Sequence, residues 1–204
     1  FIRSGNVTLS NNIIINNEAN SGGGVHIDEQ PLLTMHNNIM VGNNSSSQGG
    51  GFRMRQDYNP GPDDWSDYNI SIMYNSFIKD SSFENGAAII FNRHEGALIQ
   101  YNLFQGNYNE NSGAFSDNVI HFSSGAYPLF NYNNNMNNLT SYSVYNENTY
   151  SGNSLNAENN FWNTSSSDEI INQNYDFFDN NELDFIDYDP WLTSPNIDAP
   201  ISPP

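Results

Sequence analysis

The strongest constraint on the fold of this chain is an asparagine that recurs in a fixed local frame. Successive copies are 26, 38, 27, 31 and 26 residues apart, and most precede a short apolar segment. Self-similarity with a period of 20 to 50 residues is typical of repeat architectures, in which each repeat is one structural unit stacked on the next. The six recurring residues are Asn11, Asn37, Asn75, Asn102, Asn133 and Asn159.

A second signal accompanies the asparagines, namely a tract of small residues that opens an alternating segment. Glycines 22–24 precede Val25-His26-Ile27, glycines 49–51 precede Phe52-Arg53-Met54, and Gly86-Ala87-Ala88 precedes Ile89-Ile90-Phe91. The apolar segments are short and show no sustained helical period, so each repeat contains about three short strands with inward residues at alternate positions. This pattern predicts an all-β fold, a parallel β-helix solenoid of about six to seven coils.

The recurring asparagines have a structural role in this prediction. A tight bend between two strands needs a residue that tolerates left-handed backbone geometry, and asparagine does so better than most residues. Asparagine side chains stacked along the axis can also hydrogen bond to one another. We therefore expect the six asparagines to form a structural ladder at one corner of the solenoid.

The repeat pattern changes after Asn159. Residues 167–169 (Ser-Asp-Glu) predict the start of a short helix, and apolar residues between Leu183 and Leu192 predict a closing strand that seals the last coil. We therefore assign residues 1–192 to the β-helix. The Pro-rich residues 193–204 have the composition of a linker to a further module of a longer polypeptide.

Composition limits the partners of the protein. The formal net charge is −18, which argues against nucleic acid or an anionic membrane surface as a partner because both require basic surfaces. There is no cysteine, and no apolar run is long enough to span a membrane.

The repeats resemble those of the right-handed parallel β-helices of the pectate-lyase-like superfamily. The G-G-G-aromatic and N-x-I/F units are most similar to those of polymorphic outer-membrane-protein and autotransporter-like surface proteins. The segment Asn159-Asn160-Phe161-Trp162-Asn163 is similar to the last-coil motif of secreted bacterial β-helix modules, with Asn163 in place of the usual glycine. The resemblance implies a right-handed helix and a secreted or cell-surface bacterial protein. It implies no particular activity, because this fold hosts lyases, hydrolases, adhesins and stalks.

Scarce positive charges and histidines gather near one strand of each repeat. Alignment of the segments after the small-residue tracts places His26, Arg53 and His121 at one outward position, and the insertion at residues 56–68 follows directly. Long insertions on rigid scaffolds often carry function, and an aromatic ring in one could stack on a sugar. The predicted glycan-binding set is His26, Arg53, Arg55, Tyr58, Trp65, Arg93, His94 and His121.

Two functional interpretations remain open from the sequence. The favoured one is a non-catalytic adhesin or stalk module that binds an extracellular glycan or a surface protein. The alternative is a polysaccharide lyase or glycoside hydrolase, with Arg53, Arg55, His94 and Asp57 as its working groups. No paired aspartates typical of the hydrolases occur on a predicted strand.

The sequence predicts no cofactor, with a calcium ion as the weak candidate. Asp184, Asp187 and Asp189 lie in the acidic closing region, and carboxylate oxygens suit Ca²⁺. None of the loops has the spacing of a known calcium motif, so a solvated acidic surface is the favoured interpretation of these residues.

Overall fold

The structure is a computed structural model that describes residues 1–3, 5–28, 32–55, 69–93, 95–111 and 117–200, with the backbone alone at residue 95. Within these ranges the chain forms 23 strands and one helix, α1 (Ser167–Asn172). The strands of the first half are β1 (Ile2–Arg3), β2 (Asn6–Ser10), β3 (Ile13–Ile15), β4 (Glu18–Ser21), β5 (Val25–Asp28), β6 (Leu32–His36), β7 (Ile39–Val41), β8 (Asn44–Gln48), β9 (Phe52–Arg55), β10 (Asn69–Met73), β11 (Ser76–Ile78) and β12 (Ser81–Ser82). Those of the second half are β13 (Ile89–Asn92), β14 (Glu95–Gln100), β15 (Leu103–Gln105), β16 (Tyr108–Asn109), β17 (Asn118–Ser123), β18 (Tyr127–Asn131), β19 (Asn134–Met136), β20 (Tyr142–Glu147), β21 (Ser154–Asn156), β22 (Asn174–Tyr175) and β23 (Phe185–Asp187).

The strands form four long parallel sheets, because each strand up to β15 pairs with the strand four positions later in the chain. The strands β17, β20 and β22 then continue one of these sheets. Sheet A is β1-β5-β9-β13-β17-β20-β22, and sheet B is β2-β6-β10-β14-β18. Sheet C is β3-β7-β11-β15-β19, and sheet D is β4-β8-β12-β16. One passage through all four sheets is one coil, and about six coils stack into the predicted parallel β-helix.

Each regular coil contains four strands and not the three that the apolar pattern predicts. The additional strands are those of sheet D, with the sequences EANS, NSSSQ, SS and YN. These segments lack apolar alternation because polar side chains occupy both faces. Their regular backbone pairing follows from stacking on the coils above and below, which satisfies their N–H and C=O groups.

The interior is filled by columns of side chains that repeat from coil to coil. Along sheet C the register aligns Ile14, Met40, Phe77, Phe104 and Asn135 in one column. The rings of Phe77 and Phe104 stack with centroids 5.1 Å apart and an interplanar angle of 9°. Burial of such apolar surface contributes roughly 25 cal/mol per Å² to stability. The polar Asn135 is the exception in this column.

A hydrogen-bonded asparagine ladder runs along the corner between sheets B and C. In each step the backbone N–H and the side-chain Nδ2 donate to Oδ1 of the next coil's asparagine at 2.8 to 3.1 Å. From the second coil onward, Nδ2 also donates to a backbone carbonyl of the preceding coil. The ladder consists of Asn12, Asn38, Asn75, Asn102, Asn133 and Asn160.

The ladder does not pass through Asn11, Asn37 and Asn159, where the sequence pattern placed it. These three residues lie one position earlier and have positive φ angles of 56°, 56° and 57°. They make the left-handed bend, and the following asparagine turns inward to hydrogen bond. The two roles that the prediction assigned to one asparagine are therefore divided between neighbouring residues.

A second ladder, at the corner between sheets C and D, was not predicted. It lies five residues after the first in each coil and is built in the same way, with backbone N–H groups donating to Oδ1 of the next coil at 2.8 to 3.1 Å. Its members are Asn17, Asn43, Asp80, Asn107 and Asn138. Asp80 is the one carboxyl group among four amides.

The small-residue tracts mark a corner where backbones of adjacent coils approach closely. A Cβ atom at Gly50 would lie 2.2 Å from the backbone oxygen of Ser81 and 2.3 Å from that of Ala87. No side chain fits at such distances without a backbone shift, so this corner requires glycine in the second coil.

The C-terminal region closes the last coil. The helix α1 begins after Ser166, whose Oγ accepts from the backbone N–H of Glu169, and it buries Ile170 against the core. Beyond residue 192, the backbone N–H of Asn196 donates to Oδ1 of Asn134 at 2.7 Å, and Ala199 is buried. These contacts place residues 196–200 on the folded unit, beyond the boundary at residue 192 that composition predicted. Within the described ranges, no helix has the length and apolarity needed to cross a bilayer.

Candidate functional site: the outer face of sheet A

Strand pairing places the predicted row of histidines and arginines at aligned positions on the outer face of sheet A. Parallel pairing aligns His26 with Arg53, Arg53 with Ile90, and Ile90 with His121. The same row continues to Tyr145 and Tyr175, which the sequence analysis did not include. We call these six residues the central row.

A second outward row runs beside the central row, two residues further along each strand. Arg3 is aligned with Asp28, and Asp28 with Arg55. At the other end of the sheet, Ser123 is aligned with Glu147. Charges of opposite sign therefore alternate along the first three strands of this row.

The N-terminal end of the two rows is a compact polar group. Nε2 of His26 lies 2.9 Å from Oδ1 of Asp28, and both side chains are 16% exposed. Arg53 donates through Nη1 to Oγ of Ser21. Burial lowers the pKa of His26 below its usual 6.5; Asp28 opposes this shift and the guanidinium of Arg53 adds to it. At neutral pH His26 is therefore an uncharged imidazole, and the arginines supply the positive charge of this end.

The C-terminal end of the central row is an aromatic stack and is closed to solvent. The ring of His121 stacks on Tyr145 at 5.2 Å, and Tyr145 stacks on Tyr175 at 4.6 Å. His121 is 2% exposed, and its Nε2 lies 3.0 Å from Oε2 of Glu147. This hydrogen bond lowers the pKa of Glu147, and burial raises the pKa of Tyr145. His121 is held as a structural group, so a surface ligand does not reach its ring.

The remaining predicted residues are only partly placed. Arg55 is exposed at the end of β9, on the strand that carries Arg53. Arg93 follows β13 in a left-handed conformation, with φ of 60°. The predicted residues His94, Asp57, Tyr58 and Trp65 lie outside the described residues.

A shallow cleft of about 430 Å³ lies beside the C-terminal end of the second row. Its described lining includes Ser123, Tyr127 and Thr149, and Glu147 is the single carboxylate among those residues. The hydroxyl of Tyr127 donates to Asp184, which lies behind the cleft lining.

The predicted calcium candidates do not converge on an ion site. Asp184 is fully buried, and its two oxygens accept hydrogen bonds from Tyr127, Ser151 and Gly152 at 2.5 to 3.0 Å. Asp187 and Asp189 are exposed. In the described part of the chain, no three Asp, Glu or His side chains are grouped closely enough to hold a metal ion. Through these hydrogen bonds Asp184 connects the turn at residues 150–152 to Tyr127 of β18.

Comparison with known proteins does not assign the chain to a family. No protein-family model, no curated protein and no solved structure matches the chain. The function of the chain is therefore inferred from its own residues.

Proposed function

We propose that the chain is a non-catalytic module of a secreted or cell-surface protein, and that the N-terminal end of the two sheet A rows binds an extracellular glycan through His26, Arg53 and Arg55. The observation that carries this proposal is the separation of the acidic groups on that face. The similarity of the repeats to autotransporter-like and other pectate-lyase-like β-helices supports the same setting.

The acidic groups are placed unfavourably for glycoside hydrolysis. The described outer face of sheet A carries two carboxylates, Asp28 on β5 and Glu147 on β20, which lie four strands apart. Strands in a sheet are about 4.8 Å apart, so this separation is about 19 Å. The two carboxyl groups of a glycosidase are roughly 5 to 9.5 Å apart. Each of the two carboxylates here is also paired with a histidine.

The N-terminal end of the two rows is suited to binding a polar polymer. Arg53 and Arg55 are on one strand, His26 is on the adjacent strand, and stacked coils keep these groups in a fixed register. A rigid array loses little conformational freedom on binding, which favours recognition of an extended ligand. Arginine also offers a planar set of donors that matches carboxylate groups of acidic glycans.

Affinity electrophoresis in gels that contain neutral or acidic polysaccharides tests this proposal. We expect retardation of the wild-type protein in an acidic glycan gel, and at least about hundredfold weaker binding when Arg53 and Arg55 are both replaced by alanine, because each charge-assisted hydrogen bond contributes about 1.5 to 3 kcal/mol and about 1.4 kcal/mol is a factor of ten. Lys79→Ala is the matched control, since Lys79 lies at the corner between sheets C and D. Equal binding by the double variant and the control, or no retardation of the wild type in any gel, would contradict the proposal.

A further inference from the structure

A polar cavity of about 160 Å³ lies at the C-terminal end of the solenoid, beside β20 and several coils from Arg53 and Arg55. It is bounded by the end of sheet C, by Trp162 and Asn163 of the last coil and by Gln173, the residue that caps α1. Its rim includes the exposed Asn137 and Asn163, so the cavity is accessible from solvent.

Two deeply buried residues that line this cavity carry polar atoms without hydrogen-bond partners in the protein. Asn135 is 2% exposed, and neither its Nδ2 nor its Oδ1 has a hydrogen-bond partner in the protein. Trp162 is fully buried, and its Nε1 also has none. An unsatisfied buried polar group costs about 1 to 3 kcal/mol, so three at one place need an explanation.

The position of Asn135 makes the lack of partners more informative. Asn135 is in register with Phe104 and Phe77, whose column is otherwise apolar. An apolar residue would fit the column without a polar cost. The fully buried ladder asparagines, by contrast, all have partners; Asn102 donates through Nδ2 to Asn133 and to two backbone carbonyls. The scaffold therefore leaves the side-chain amide of Asn135 without a partner, although it satisfies the ladder asparagines.

The cavity lining defines the chemistry of its occupant. Hydroxyls of Thr140 and Ser143 and the amide of Gln173 add to the amide of Asn135 and the indole N–H of Trp162. None of the described residues that line the cavity is charged. Neutral donors and acceptors around an aromatic ring favour a neutral polyhydroxylated ligand over an ion. One water takes about 30 Å³ in the liquid, so the cavity has room for about five waters, and this volume limits an occupant to about one monosaccharide.

From these observations we infer that this cavity is a binding site for one neutral sugar residue, with Asn135 and the indole N–H of Trp162 as its buried hydrogen-bonding groups. The site is independent of the arginines on sheet A, and it goes beyond the proposed function. A neutral sugar replaces the missing partners of both side chains, and the exposed rim at Asn137 and Asn163 lets the residue belong to a longer glycan.

The test is a titration of the ¹⁵N-labelled protein with glucose, galactose, mannose and N-acetylglucosamine, followed at the indole N–H resonance of Trp162, assigned with Trp162→Phe. We expect a saturable shift with at least one neutral sugar and at least tenfold weaker binding of the corresponding uronic acid. In Asn135→Leu the binding should weaken at least tenfold while the protein stays folded, because leucine suits the apolar column. Met40→Leu, in the same column three strands away, is the matched control and should bind like the wild type.

Several outcomes would overturn this inference. One is a cavity that holds water only, seen as no shift of the Trp162 resonance with any sugar up to high millimolar concentration. Another is undiminished binding by Asn135→Leu. If Asn135→Leu does not fold, Ser143→Ala decides in the same titration, and unchanged binding by that variant would also overturn the inference. Failure of the sheet A proposal appears separately, in the electrophoresis of the arginine variant.

Discussion

Replacement of Asp80 by asparagine is expected to stabilise the protein by about 4 kcal/mol at pH 8 and to have little effect at pH 4. Asp80 is fully buried in the second ladder, where its Oδ1 accepts from the backbone N–H and Nδ2 of Asn43 at 2.8 and 3.0 Å. Its Oδ2 has no hydrogen-bond partner in the protein. At the equivalent position, the asparagines of the second ladder have an Nδ2 group that donates a hydrogen bond. Oδ2 of Asp80 can donate one only when the carboxyl group is protonated.

The direction of the pH effect follows from the shifted ionisation. Burial raises the pKa of Asp80 from 3.8 to about 7, against the hydrogen bonds from Asn43 that lower it. Below pH 3.8 the group is protonated in both states, and its contribution to stability is fully present. As the pH rises towards 7, only the unfolded state releases the proton, and stability falls by about 1.4 kcal/mol per pH unit over about three units. The asparagine variant has no proton to lose at this position.

Urea unfolding at pH 4, 6 and 8 measures this difference. The free energy of unfolding of Asp80→Asn should fall much less from pH 4 to pH 8 than that of the wild type. A smaller slope remains in both proteins, because burial also raises the pKa of Asp176. Asp187→Asn removes an exposed carboxylate and is the control, and Asn107→Asp should introduce a new pH dependence in the next rung. Parallel pH curves for the wild type and Asp80→Asn would show that Asp80 is ionised in the folded state without cost.

The second large effect is expected for Asn102→Ala, in the middle of the first ladder. Oδ1 of Asn102 accepts from both the backbone N–H and Nδ2 of Asn75 at 2.9 and 3.1 Å, in a region closed to solvent. Alanine leaves the backbone N–H of Asn75 without an acceptor, and it removes the hydrogen bonds that Asn102 donates to two backbone carbonyls. Each unsatisfied buried group costs about 1 to 3 kcal/mol, so we expect a loss of about 3 to 5 kcal/mol in urea unfolding.

The open end of the same ladder provides the control for this experiment. Asn12 is exposed and donates to Asn38, but it has no described rung before it that donates to its own Oδ1. Asn12→Ala should therefore cost less than about 1 kcal/mol, because water replaces the lost partner. Similar losses for Asn12→Ala and Asn102→Ala would mean that the ladder does not act through buried donors.

The sequence was sufficient to predict the fold because its repeats carry both the apolar columns and the bends. The segments Ile39–Val41 and Phe52–Arg55 are strands where alternation predicts them. The exact position of the ladder was harder to predict, because a pair such as Asn11-Asn12 does not show which of the two asparagines turns inward. The coils with Tyr74-Asn75 or Tyr101-Asn102 contain that signal: tyrosine occupies the left-handed position, and asparagine follows it.

The candidate site was harder to predict than the fold. Alignment of the strands places His26, Arg53 and His121 in one row, and the register agrees. Exposure does not follow from alignment, however, because stacked coils bring outward side chains into contact along the axis. Tyr145 and Tyr175 extend the row and help to bury His121, and no pattern of charged residues indicates this. The cavity at Asn135 was missed for a related reason, since an asparagine in an asparagine-rich chain looks ordinary until its register is known.

The measurement that tests the central claim most directly is product formation from a panel of neutral and acidic polysaccharides, with and without Ca²⁺. Absorbance near 235 nm detects the unsaturated products of a lyase, and a reducing-sugar assay detects hydrolysis. We expect no product above the background of a protein-free control, even where electrophoresis shows binding. Product that forms with the wild type and is lost in Arg53→Ala would contradict this expectation, and would make the chain an enzyme that acts through the arginines of sheet A.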